Sequence, residues 1–555
     1  MQSSFSTSPS ACVDAKGIDV NDEDNDTFKD DARIFMEDPL HSQPVVINYA
    51  KDATTQTFDS SIFVATNSGY LHAISTNEDD PKEHFAFIPT ELLDNIYQYF
   101  TGLSSLDKVY GMDGAVTYWH KDVNRNGVIL DSSGDSDTGE HIYLYAGMRR
   151  GGRSYYALDV SDRSAPEFLW QISNTTSGFS KLGQTWSKMT PAVVKWLGVK
   201  TQVLFFGGGY DPAEDSKSTR STSSMGNAIY MVDATTGQLL WSTSNSGSSL
   251  TLTEMKSSIV ADIVTIDSNQ DGYINVLYSA DVGGRIWRLD LNNSATSAAA
   301  FANGGVIADF NGGSSTSNIR FFNTPDVAFT RYGDFSAEGQ FQIGIGSGYR
   351  AHPLDTRVVD RFYIINDTNV TTVPTNYSNY TEANIADITN FSSATKAQQQ
   401  AGSFYKLTGV GEKVLASSVT VANNILFTTY RPLDVIASAN CDADTGLTRL
   451  YQMSPTYDDT YRSTLITDLA QGGIPPNPVI LFPPQEPTPP GPTPTDPTDP
   501  TDPTDPTDPT DPTDPSEGSS DCEKLKGITA IGAETVKTNI SRCDQLSKSY
   551  WRISQ

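Results

Sequence analysis

Gly226-Asn227-Ala228-Ile229-Tyr230-Met231-Val232-Asp233-Ala234-Thr235-Thr236-Gly237-Gln238-Leu239-Leu240-Trp241 holds the fold in miniature. The β-branched and aromatic run from Ala228 to Val232 reads as a strand. Asp233 and the following Thr-Thr-Gly supply a hairpin turn, with Gly237 as the residue that tolerates a positive φ. The chain then returns as a second strand ending in Trp241, an indole placed to pack between adjacent sheets. Weaker copies of this grammar stand at Gly69-Tyr70-Leu71-His72-Ala73-Ile74, at Ser154-Tyr155-Tyr156-Ala157-Leu158-Asp159-Val160 with Trp170, and at Gly284-Arg285-Ile286-Trp287-Arg288-Leu289-Asp290. Short segments at 61–65, 141–145, 203–206, 228–232, 276–278, 340–344 and 361–365 also read as strands bounded by Gly, Asp or Asn. No amphipathic helices separate them, and a single helix is expected at 91–100. A blade buries each of its faces against a neighbour, so radial repetition of a four-stranded unit accounts for the pattern. The expected fold is all-β, a modified β-propeller of about seven blades with insertions.

Composition narrows the function classes. The 555 residues carry 38 Lys and Arg against 67 Asp and Glu, a formal net charge of −29. A surface this acidic repels nucleic acid and anionic lipid, which excludes general phosphate-backbone binding. No run of about 18 apolar residues occurs, so no membrane-spanning helix is expected. The first ten residues are Ser-rich and lack the basic and apolar regions of a secretory signal. Four cysteines, Cys12, Cys441, Cys522 and Cys543, are few for this length. Cys522 and Cys543 flank a short segment as a local staple would, which favours an oxidising compartment and a trimmed precursor.

Residues 1–30 read as a partly flexible lead-in and 31–474 as the propeller. Residues 475–520 read as a Pro-rich linker in which Thr-Asp-Pro repeats run from 495 to 515. Proline fixes φ and the repeat has no apolar side chain to bury, so this tract is expected to be a disordered, extended spacer. Residues 521–555 are too few for a core of their own and are expected to dock back on the propeller.

The sharpest chemical signal is Asp267-Ser268-Asn269-Gln270-Asp271-Gly272-Tyr273-Ile274-Asn275. Oxygen side chains at positions 1, 3 and 5, a Gly at 6, the Tyr273 main-chain carbonyl at 7 and Asn275 at 9 reproduce the first part of an EF-hand-type Ca²⁺ loop. Position 12 is Tyr278 rather than a bidentate Glu, and the flanks read as strands, so this is a calcium loop between strands. Two full charges predict modest affinity, with a nearby carboxylate or water completing the shell. Asp122-Val123-Asn124-Arg125-Asn126-Gly127-Val128 repeats the first six positions but has Leu130 at position 9 and one charge fewer. The acidic run 21–26 lacks the Gly and reads as a solvated loop.

Enzyme signatures are absent from the sequence. Six His occur in no metal-protease spacing, and His72, His84, His120, His141 and His352 sit in strand or turn contexts where packing accounts for them. There is no nucleophile elbow and no phosphate-binding Gly-Lys loop; Gly207-Gly208-Gly209 reads as a close backbone approach. Arg149-Arg150-Gly151-Gly152-Arg153 is the one basic patch, open to an acidic partner or to pairing with neighbouring carboxylates.

Taken in order, several motifs resemble the C-terminal region of the PilY/PilC family of bacterial type IV pilus tip-associated adhesins and assembly factors. They are Val64-Ala65-Thr66-Asn67-Ser68-Gly69-Tyr70-Leu71-His72-Ala73, the stretch 147–159 with its Arg-Arg-Gly-Gly-Arg, Trp186-Ser187-Lys188-Met189-Thr190-Pro191, the calcium loop with 278–290 behind it, and Asp360-Arg361-Phe362-Tyr363. The resemblance runs from about residue 30 to 454 and implies a propeller with a surface Ca²⁺ loop whose occupancy regulates pilus extension and retraction, and with it twitching motility. It also implies minor pilins and the pilus tip as partners, adhesion to host or abiotic surfaces, and a secreted, cell-surface location reached through the periplasm. The ligands carry over as Asp267, Asn269, Asp271, Tyr273 and Asn275. Members commonly have Asp where this chain has Asn275, which removes one charge. Many members place a large N-terminal part before this region, so the chain is expected to be an excised C-terminal portion, and no Arg-Gly-Asp triplet occurs. If the tail returns to the ring as an added strand, Cys12 and Cys441 could bridge the first and last blades; the sequence leaves the connectivity of the four cysteines open. Two other functions compete with this one. The Asp233 hairpin is similar to repeats of quinone-dependent dehydrogenase propellers, and a generic extracellular binding propeller would share the same fold.

Overall fold

In the computed structural model the Asp233 turn closes as read. Strands Ala228–Asp233 and Leu239–Ser244 pair antiparallel with Met231 opposite Trp241. The Asp233 carboxylate accepts from the backbone N–H of Thr235 and Thr236 at 3.0 and 2.8 Å, and Gly237 takes φ +69°. A Cβ on Gly237 would lie 2.7 Å from the indole of Trp170, so glycine there serves both the turn and the neighbouring sheet. The structure describes residues 38–101, 108–130, 139–330, 339–389, 394–421, 424–433, 445–454, 464–481, 524–531 and 534–541.

This hairpin belongs to the third of seven sheets, each built from strands consecutive in the chain. Sheets 1 (45–87), 2 (116–173), 4 (264–309) and 6 (419–469) are four-stranded antiparallel meanders. Sheets 3 (190–251) and 5 (326–406) each add a two-residue strand, Leu250–Thr251 and Ala386–Asp387, paired parallel. The first strands of successive sheets run beside one another, Val116–Lys121 with Thr190–Trp196 and that strand with Val264–Ile266, as in a ring of blades.

The cores lie between sheets rather than within them. Trp241 is fully buried among Phe205 and Met231 of sheet 3 and Leu277 and Trp287 of sheet 4. Ile266, Tyr278 and Ile286 of sheet 4 pack with Phe341, Ile343 and Tyr363 of sheet 5. Phe362 stacks on Phe427 at 4.0 Å to join sheets 5 and 6. The fold is therefore the all-β propeller anticipated from the sequence.

The seventh sheet has three strands, Val479–Leu481, Lys524–Ile531 and Glu534–Ser541. Val479–Leu481 follows sheet 6 directly, Ile480 packs on Leu426, Leu450 and Leu469, and the C-terminal strands pair to it. The lead-in, the acidic run 21–26, the Thr-Asp-Pro repeat and all four cysteines lie outside the described residues.

One local expectation changes in detail. The helix expected at 91–100 is split into a 3₁₀ turn, Thr90–Asn95, and a short α-helix, Ile96–Thr101. Pro89 precedes it with no side-chain cap, and the first turn tightens into i to i+3 bonds instead. At Gly207-Gly208-Gly209 a Cβ would meet the main-chain carbonyls of Ile259, Gly226 and Gln184, the close approach expected there. Among the described residues no helix is long and apolar enough to cross a membrane.

Candidate metal-binding loop and the blade interface beneath it

Asp267 and Asn275 stand at the mouth of the first hairpin of sheet 4, just beyond the last ladder pair, Ile266 with Val276. The Asp267 carboxylate accepts from the backbone N–H of Asp271 at 3.2 Å and of Gly272 at 2.7 Å. Asp271 Oδ1 accepts from Tyr273 N–H at 2.9 Å, and the Asn269 amide donates to Asp271 Oδ2 at 3.0 Å. Gln270 and Gly272 take φ +60° and +86°, the left-handed backbone that lets so short a loop close on itself. The tip, 269–272, is exposed.

This donor set fits a hard cation that takes oxygen ligands, with Asp267, Asn269, Asp271 and the Tyr273 carbonyl as holders. Asn275 has a second duty: its Oδ1 accepts from Ser268 N–H at 2.8 Å and its amide donates to Ser268 Oγ at 3.0 Å, tying the two ends of the loop together. The nearby carboxylate expected to complete the shell is not found. Among the described residues no group of three or more carboxylate, imidazole or thiolate side chains gathers at metal distance. The set therefore has two charges, with neutral oxygens and water for the remaining positions.

The loop is wired into three blades. Ile274 N–H donates to Val193 O of sheet 3 at 2.9 Å, and Asn293 donates to Ile274 O at 3.1 Å. Ile266 enters the core between sheets 4 and 5, whereas Ile274 enters the core between sheets 3 and 4. Four residues past Ile274, Tyr278 donates its hydroxyl to Asp367 of sheet 5 at 2.8 Å. Tyr278 is the residue that replaces the bidentate Glu of a helical loop, and here it is a strut between blades.

Sequence reading missed the charge cluster around it. Arg288, 1% exposed, lies 2.6 Å from Asp290 and 2.7 Å from Asp367. Tyr377 donates to Asp290 at 2.8 Å. Burial is the largest influence on Arg288 and opposes its charge, but the anionic partners outweigh it and raise its pKa. Burial likewise lifts Tyr278 above the usual phenol range. Alternation in Arg285–Leu291 marks a strand, yet nothing local reveals that Asp367, 79 residues away, completes the cluster. Nearby, Asp281 is buried and pushed up to about 6 by burial, while it accepts from Gly283 N, Arg285 N and Trp287 Nε1 at 2.9–3.1 Å.

The other sequence candidates resolve as follows. The basic patch does not face solvent as a unit. Arg150 forms a two-pronged pair with Asp215 at 3.1 and 3.2 Å, Arg153 donates to Leu182 O at 2.8 Å, and Arg149 is buried over Trp186 at 4.2 Å. The pairing alternative holds for Arg150, while Arg149 is buried against Trp186. His72 contacts Glu83, His141 lies 3.6 Å from Asp159, and His352 contacts Asp215 O, each a local packing contact. The turn 122–128 adopts the same hydrogen-bond pattern as the 267–275 loop.

A sequential ring of antiparallel sheets, carrying a turn rich in oxygen side chains at the mouth of a first hairpin, defines a β-propeller. The chain belongs to the PilY1 family: residues 31–316 match the PilY1 beta-propeller domain. It is 28% identical over 236 residues to the type IV pilus biogenesis factor PilY1 of Pseudomonas aeruginosa UCBPP-PA14, covering 41% of this chain and 17% of that protein. A PilY1 homologue of Xylella fastidiosa Temecula1 is 25% identical over 319 residues, 56% of this chain and 22% of the relative. The crystal structure of the Pseudomonas aeruginosa PilY1 C-terminal domain superposes with a TM-score of 0.55 at 16% identity, covering 88% of this chain and 94% of that one. The chain thus spans about a fifth of the length of these curated relatives and nearly all of the solved C-terminal domain.

Proposed function

We propose that this chain is a non-enzymatic, calcium-binding module of a type IV pilus biogenesis factor, acting at the pilus tip on the cell surface after passage through the periplasm. Its partners would be minor pilins, and its outputs pilus assembly, the balance of extension and retraction that drives twitching, and adhesion to host or abiotic surfaces. Membership of the PilY1 family supports the pilus assignment. The observation that carries the calcium reading is the wiring of the 267–275 loop: its end bonds sheet 3, and its flanks enter the cores on both sides of sheet 4.

A cation held by Asp267, Asn269, Asp271 and the Tyr273 carbonyl would neutralise the two carboxylates and stiffen the exposed tip. The stiffening would pass to neighbouring blades through Ile274 and Tyr278, so the rim of three blades responds to one ion. Asp267→Ala and Asp271→Ala test this. The chains remain folded by circular dichroism, lose calcorimetric Ca²⁺ heat assigned to this loop, and alter twitching when introduced into the parent bacterium. Wild-type calcium binding and wild-type motility in both variants would refute the reading.

A further inference from the structure

The first hairpin of sheet 2 carries a turn built like the one at 267–275. Its Asp122 accepts from the backbone N–H of Asn126 at 3.2 Å and of Gly127 at 2.9 Å. Asn124 Oδ1 accepts from Asn126 N–H and Asn126 Oδ1 from Val128 N–H, both at 2.9 Å. Arg125 and Gly127 take φ +62° and +79°, matching Gln270 and Gly272. Leu130 fills position 9, so along the chain the turn lacks the closing oxygen that Asn275 supplies in sheet 4.

Strand register supplies that oxygen from elsewhere. In sheet 4 the last ladder pair is Ile266 with Val276, which leaves Asp267 facing Asn275 across the hairpin mouth. In sheet 2 the last pair is Lys121 with His141, which leaves Asp122 facing Glu140. Glu140 Oε1 accepts from Val123 N–H at 3.1 Å and Asn124 N–H at 3.3 Å, as Asn275 accepts from Ser268 N–H. The Glu140 side chain is buried, 4% exposed, and its Oε2 has no hydrogen-bond partner among the described residues. His120 Nε2, on the same face of the hairpin, is also buried without a partner among the described residues. A carboxylate oxygen removed from water with no donor is costly unless a positive charge offsets it.

We propose that the turn 122–128 together with Glu140 is a second site for a hard divalent cation of the Ca²⁺ type, held by Asp122, Asn124, Asn126 and Glu140. It carries two carboxylates, as the 267–275 loop does, but one comes from the returning strand. The inference stands apart from the first loop and does not need it.

Equilibrium dialysis of the full chain against calcium chloride, up to about 5 mM to cover weak extracellular-type sites, tests the proposal. Asp267→Ala retains one bound Ca²⁺ per chain. Adding Glu140→Gln weakens that residual site at least tenfold, although Gln still offers an oxygen to Val123 and Asn124 N–H and so keeps the turn. Adding Asn126→Asp instead strengthens the residual site several-fold by supplying a third charge. A folded Asp267→Ala chain that binds no Ca²⁺, or residual binding indifferent to both additions, would overturn the proposal and leave Glu140 as a turn cap. Two ions retained by Asp267→Ala, one of them lost with Glu140→Gln, would instead count against the first loop and sustain the second.

Discussion

Replacing Arg288 by Met separates the contribution of charge from that of packing at the interface beneath the 267–275 loop. Met keeps the apolar length of the side chain but leaves Asp290 and Asp367, 4% and 7% exposed, facing each other without a cation. Tyr278 and Tyr377 still donate to them, so the loss is the ion pair rather than every hydrogen bond. Removing one partner of a buried pair costs about 3–5 kcal/mol. An unfolding entropy of about 2 cal/mol/K per residue over the propeller, residues 31–474, converts that to a drop in Tm of about 3–6 °C.

Scanning calorimetry at pH 7 on Arg288→Met, on Asp290→Asn with Asp367→Asn, and on all three together measures it. The triple variant should regain most of the loss, because Asn presents an oxygen to each tyrosine and no charge remains buried. Were Arg288→Met to melt within about 1 °C of the wild type, or the triple variant to fall by the sum of its parts, the cluster would not be a coupled strut between blades.

Other consequences follow from the same physical description. Trp241→Ala, at the fully buried junction of sheets 3 and 4, should lower stability by about 3–5 kcal/mol, and Trp241→Phe by much less, since the indole N–H makes no hydrogen bond; chemical denaturation reads both. Saturating Ca²⁺ at about 100 times its Kd adds about 2.7 kcal/mol, a rise in Tm of about 3 °C that shrinks in Asp267→Ala. Burial pushes Asp113 up to about 7 and Asp281 and Asp360 up to about 6. Their folded pKa values lie above the unfolded one, so their favourable contribution is complete below about pH 4 and disappears as pH rises through 6 to 7. In calcium-free buffer Tm should therefore be higher at pH 5 than at pH 8, and a rise over that interval would contradict the burial of these carboxylates.

The strands visible in the sequence were the inner ones. The segments at 61–65, 141–145, 203–206, 276–278 and 340–344 all lie in second strands of their sheets, covered by strands on both edges and by blades on both faces. Full burial writes a continuous apolar run. Outer strands such as Glu83–Phe87 and Glu167–Ser173 face solvent in part, so their sequences carry mixed polarity and weak signals.

The 267–275 turn was legible because its oxygens, its Gly and its positive φ values are neighbours along the chain; a sharp turn of this kind is specified locally. Blade repetition, and with it the fold, was legible for a similar reason, since each hairpin repeats its own short-range code. Whatever depends on two strands meeting was not. Glu140 reaches the 122–128 turn only because Lys121 pairs with His141, and a slip of one residue would turn its carboxylate to the other face. Arg288 finds Asp367 only because sheet 5 packs on sheet 4. Local composition determined the turns, the strands and the candidate ligands, whereas register and blade packing decided which distant charges became partners, because burial couples groups by proximity in space.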